Sequence, residues 1–100
     1  MGASIGVVLQ DPELEALRRE IDDIDERILE LVAARVRIVL RVGELKRRVG
    51  LPVYDPERER AMLDRLAQRA SPPLDLSTVR RVFERLIDES RRLEQNHFDR

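Results

Sequence analysis

From Leu14 the chain repeats apolar residues at alternating steps of three and four, through Leu17, Ile21, Ile24, Ile28 and Leu31, and resumes at Ile38, Val42 and Leu45. This spacing aligns one face of an α-helix and makes it a buried seam. Within the seam, position 35 is an arginine. A helix buries a guanidinium only where something anionic meets it, so Arg35 predicts a binding site inside a helical assembly.

The seam begins after Asp11-Pro12-Glu13, where a carboxylate can cap free amides and proline suits the first helical turn, and it stops at Gly50 and Pro52. About 38 residues at 1.5 Å each predict a helix about 57 Å long. Gly43 is a weak point in it, worth about 1 kcal/mol. Asp55-Pro56-Glu57 repeats the start signal, and Met62, Leu63, Leu66 and Ala70 mark the apolar face of a second helix of about 16 residues that ends before Ser71-Pro72-Pro73. A third, of about 22 residues, starts near Asp75 or Ser77 and turns Val79, Val82, Phe83, Leu86, Ile87, Ser90, Leu93 and Glu94 inward.

The fold class expected is all-α, three helices, one very long and two shorter. Aromatic residues at 3% and charged residues at 39% suit amphipathic helices and argue against a sandwich or barrel. Residues 11–100 form a single helical domain, preceded by a loose arm over residues 1–10. Neither shorter helix can cover the long one, and exposed turns of Leu and Ile would mark an interface. A second copy with its long helix antiparallel is the expected cover.

Nineteen basic residues against 20 acidic ones predict no attraction to nucleic acid, and the run Ile5 to Leu9 is too short for a membrane span or signal peptide. Without cysteine, and with His97 as the one histidine, no thiol chemistry, metal site or cofactor is expected. The cytoplasm is the default compartment.

Several polar side chains fall on apolar stripes. Arg35 and Lys46, eleven residues apart, point to nearly the same side of the helix. Glu59 precedes Met62, Leu63 and Leu66 by three, four and seven residues, and Ser90 and Glu94 lie on the inward side of the third helix. Arg18 is about 25 Å from Arg35 along a straight helix and on another face, so it joins that cleft only from an antiparallel partner. Each position also has a plainer reading. Arg35 could serve register, Lys46 could snorkel, Glu59 could favour the helix dipole, Ser90 could be a small core residue and Arg18 a surface one. The doublets Arg47-Arg48, Arg80-Arg81 and Arg91-Arg92 read as solvated faces, and His97 as an exposed residue near a fraying end. The convergence of polar groups from three helices is the signal.

Taken in order, Leu17-Arg18-Arg19-Glu20-Ile21-Asp22 through Asp25, Leu31-Val32-Ala33-Ala34-Arg35, Val42-Gly43-Glu44-Leu45-Lys46, Pro52-Val53-Tyr54-Asp55 with Glu57-Arg58-Glu59-Arg60, and Phe83 through Ile87-Asp88-Glu89-Ser90 resemble the all-α AroQ class of chorismate mutases over Leu14 to Gln95. The resemblance implies an intertwined helical homodimer that converts chorismate to prephenate in aromatic amino-acid synthesis, without cofactor. It implies that Arg35 and the partner copy's Arg18 clamp two substrate carboxylates, that Arg58 and Ser90 assist, that Lys46 donates to the ether oxygen, and that Glu59 with the backbone at Asp55 holds the substrate hydroxyl. It also leaves room for a stimulating partner enzyme of the same pathway.

One position departs from the commoner pattern of that class. Where many members carry a glutamine that donates to the ether oxygen, this chain has Glu94; Gln95, about 100° further round the helix, should point elsewhere. A carboxylate cannot donate, so Glu94 would have to carry a proton, which burial favours and a nearby Lys46 opposes. Two further readings stand beside the mutase. One is an isochorismate–pyruvate lyase of the same fold. The other is a non-catalytic regulatory or adaptor module, which would have no use for Arg35, Lys46, Glu59 and Ser90 facing inward.

Overall fold

A computed structural model describes residues 11–99, so the arm expected over residues 1–10 lies outside the described residues. Among them, three helices follow in order with no strand: α1 (Pro12–Val49), α2 (Pro56–Gln68) and α3 (Leu76–Phe98). None is long and apolar enough to cross a membrane.

The expected start signals act as caps. Asp11 Oδ1 accepts from the amides of Glu13 at 2.8 Å and Leu14 at 3.3 Å, Asp55 Oδ1 from Arg58 at 3.1 Å, and Asp75 Oδ1 from Thr78 at 2.7 Å. Each satisfies first-turn N–H groups that no helix can satisfy internally. α1 stops where Gly50 turns to φ +79°, so that Leu51 N–H reaches Lys46 O at 2.8 Å and Gly50 N–H reaches Arg47 O at 3.4 Å. Those two bonds make a Schellman turn, for which an achiral residue is best suited. α2 has 13 residues, shorter than expected. Its last turn tightens into bonds three residues apart, Arg69 N–H to Leu66 O and Ala70 N–H to Ala67 O, ahead of Pro72.

The chain divides into two compact units between Ala34 and Arg35. The first holds the opening turns of α1, where Leu17, Ile21, Ile24 and Ile28 are each at least half exposed and Leu31 is 70% exposed. The expected seam is there, and nothing within that unit covers it. The second unit holds the rest of α1 with α2 and α3. Here α2 and α3 pack on one another, tied at their surface by the Arg80–Asp64 ion pair, and Ala67, Val79 and Ile87 are the buried apolar side chains among the described residues. The inward stripe of α3 is narrower than expected. Val79, Ile87, Ser90 and Glu94 are buried, whereas Val82 and Leu93, at the edges of the stripe, are exposed.

α1 and α3 meet closely at Gly43, which is buried. A methyl group built there would run into Glu94 Oε2 and come within 3.0 Å of the Phe98 ring. The glycine that read as a weak point in the helix is therefore a place of close approach.

Candidate active site

The second unit contains a cavity of about 510 Å³ walled by all three helices and by the segment between α1 and α2. From α1 come Arg35, Lys46 and Arg47 above an apolar floor of Ile38, Val39 and Val42. The connecting segment adds Val53, Tyr54 and Asp55, α2 adds Arg58, Glu59 and Met62, and α3 adds Ile87, Ser90, Arg91, Glu94 and Gln95. Arg35, Lys46, Asp55, Arg58, Glu59, Ser90 and Glu94, singled out from the sequence, thus share one cavity. Arg18 lies in the first unit, half exposed, 3.6 Å from Glu15.

Arg35 is oriented by two neighbours. Its Nη1 donates to Ser90 Oγ at 3.3 Å and its Nη2 to Met62 Sδ at 3.5 Å, while Ser90 Oγ donates to Leu86 O at 2.7 Å. No carboxylate partners it in these contacts, so the guanidinium keeps its charge available to a guest. Lys46 Nζ donates to Val53 O at 3.3 Å, across the reversal that the Gly50 turn creates. Glu94 is 9% exposed, against the bare Cα of Gly43.

Two acids at the start of α2, Asp55 as its cap and Glu59 in its first turn, are positioned differently. Asp55 is exposed, spends one side-chain oxygen on capping Arg58, and offers its carbonyl to Glu59 N–H at 3.2 Å. Glu59 meets Arg91 Nη2 at 2.5 Å. This carboxylate holds the Arg91 guanidinium above its ordinary pKa, chiefly through the hydrogen bond and against the opposing effect of burial.

Three expectations need correction. Arg91 is not part of a solvated doublet. Position 91 follows Ile87 by four residues and precedes Glu94 by three, which places it on the inward face, while Arg92 turns out to Glu89 at 2.9 Å. Arg47 likewise borders the cavity, with its guanidinium carbon 4.0 Å from the Phe98 ring centroid, a cation–π contact. Gln95 also borders the cavity, because a wall made by a whole helix face spans more than 100° of rotation. His97 is exposed, as expected, and stands 3.5 Å from Glu44.

Formal charges around the cavity are five cations (Arg35, Lys46, Arg47, Arg58, Arg91) and three acids (Asp55, Glu59, Glu94). The excess is two positive charges, set above an apolar floor. This suits a compact guest with two negative charges and an apolar body.

The family model for chorismate mutase type II matches residues 17–95. Over 81 residues the chain is 44% identical to the T-protein of Enterobacter agglomerans, covering 78% of this chain but 21% of that protein, so it spans about a fifth of this relative. It is 32% identical over 88 residues to the chorismate mutase of Methanocaldococcus jannaschii, covering 87% of this chain and 89% of the other. The crystal structure of chorismate mutase from Helicobacter pylori in complex with prephenate superposes with a TM-score of 0.81 at 31% identity, over 89% of this chain and 97% of that one.

Proposed function

The chain belongs to the chorismate mutase type II family, and on that premise we propose that it rearranges chorismate to prephenate in a cavity completed by a second copy of itself. The observation that carries the proposal is the meeting of Arg35, Lys46 and Arg58 with Glu59, Ser90 and Glu94 around one cavity of about 510 Å³. The relative solved with prephenate supports it.

The reaction is a Claisen rearrangement. One C–O bond of the enol ether breaks as one C–C bond forms, and no atom enters or leaves. Such a step needs no nucleophile; it needs a flexible dianion folded so that the reacting carbons approach. Arg35, already steadied by Ser90 and Met62, grips one carboxylate through its planar fork, with Arg58 of the same cavity adding charge. Arg18 of a second copy grips the other carboxylate. Lys46 exchanges Val53 O for the ether oxygen, where partial negative charge grows in the transition state, and a donor fixed in advance lowers that barrier. Glu94 lines the same cavity and would be a second donor to that oxygen in its protonated form. Glu59 and the Asp55 backbone hold the substrate hydroxyl.

The exposed seam of α1 supports the second copy. The five seam side chains Leu17, Ile21, Ile24, Ile28 and Leu31, each half or more uncovered, represent about 4–8 kcal/mol of unrealised burial per chain. Two antiparallel long helices would cover these side chains and bring Arg18 of one copy toward Arg35 of the other. This reading also places the protein in the cytoplasm, and a stimulating partner enzyme of the aromatic pathway would act on this same dimer.

The test is incubation with chorismate and identification of the product. Prephenate is expected, and Arg35→Ala should lower kcat/KM at least about 30-fold, the least expected when one member of a buried charge pair is removed. Salicylate with pyruvate from isochorismate would point to the lyase instead. An unchanged rate in the variant would overturn the site.

A further inference from the structure

Arg91 reaches two parts of the cavity wall at once. Its Nη2 donates to Glu59 Oε1 on α2, its guanidinium carbon lies 4.8 Å from the Tyr54 ring centroid in the segment between α1 and α2, and its Nη1 stands 3.6 Å from Asp88 on its own helix. The Glu59 and Arg91 side chains are 30% and 36% exposed, sheltered enough for both the hydrogen bond and the cation–π contact to count. Glu59 Oε2 has no hydrogen-bond partner among the described residues. Tyr54 separates Val53, whose carbonyl Lys46 holds, from Asp55, which caps α2. One guanidinium on α3 thus fixes both the carboxylate and the segment beside it.

We propose that Arg91 is a positioning residue that holds Glu59 Oε1, and through Tyr54 the Val53–Asp55 segment, so that Glu59 Oε2 is presented to the substrate hydroxyl. The proposal rests on the mutase reading above. It differs from a simple contribution of charge, because Arg91 is already matched by Glu59, and its raised pKa reflects that match. A lysine would keep the charge but lose the fork and the flat face that lies on Tyr54.

The experiment compares chorismate turnover by the unaltered chain, Arg91→Ala, Arg91→Lys, Glu59→Gln and the Arg91→Ala/Glu59→Gln double variant, at low and high salt, with thermal melts of each. Arg91→Ala should lower kcat on the order of 10- to 100-fold, the scale of a misplaced contact, and change KM less. Arg91→Lys should recover little of this, and keeps the test decisive if Arg91→Ala does not fold. In the double variant the loss should be no greater than in Glu59→Gln alone. Full activity in Arg91→Lys, a loss confined to KM and erased by salt, or fully additive effects would overturn the inference and leave the mutase reading intact. Absence of turnover by the unaltered chain removes that reading and the inference together.

Discussion

Glu94 lines the same cavity as Lys46, Arg47 and Arg91 and lies against Gly43, so its carboxyl group is enclosed. To donate to an ether oxygen it must carry a proton. Glu94→Gln, a permanent donor, should therefore keep or raise kcat/KM, whereas Glu94→Ala should lower it on the order of 100-fold. Steady-state kcat/KM of the two variants checks this, and an unchanged rate in Glu94→Ala would refute it. At this scale the sequence was legible wherever a polar residue broke an apolar period, as Arg35, Glu59 and Ser90 do. Arg91 and Arg47 were hidden because each stands in an arginine doublet, where only the step from Ile87 or from Gly43 separates the inward member from the outward one. The Glu59–Arg91 pair joins α2 to α3, and periodicity along one helix carries no information about such partners.

The contact of α1 with α3 turns on a missing methyl group. In Gly43→Ala the new Cβ would displace the end of the Glu94 side chain, which is flexible, and crowd the Phe98 ring at 3.0 Å. The alanine gains about 1 kcal/mol of helix propensity, so the melting temperature should hold or fall slightly while kcat/KM drops roughly 10- to 100-fold as Glu94 leaves its place. Full activity with a displaced Glu94 would show that this side chain does not act at the ether oxygen. The α3 cap gives a prediction about folding. Thr78 N–H holds the Asp75 carboxyl below its ordinary 3.8, so the cap's pH-linked stabilisation is present above 3.8 and is lost as pH falls through the lowered value. Asp75→Asn should melt lower than the unaltered chain at neutral pH, with the gap closing in acid, as followed by circular dichroism. The starts of α1 and α2 were legible because Asp-Pro-Glu has few other uses. The end of α2 was not, since a last turn with bonds three residues apart leaves no mark on the apolar pattern.

For the molecule as a whole, length and apolar spacing predicted three helices and a long one in need of cover, and the exposed stripe from Leu17 to Leu31 is what a chain awaiting a second copy would present. The pairing itself could be argued only from area, because no residue pattern names a partner. Ile24→Glu, in the middle of the stripe, should convert a dimer to monomer in sedimentation and cost most of the activity, since Arg18 would no longer reach a neighbour's cavity. Retention of the dimer would overturn the antiparallel arrangement. The small interior has one more consequence. On the proposed pairing, a chain whose described residues enclose only Ala67, Val79 and Ile87 as buried apolar side chains would draw its resistance to heat from association, so its melting temperature should climb with protein concentration, and dilution should cost it shape as well as the second arginine proposed for the cavity.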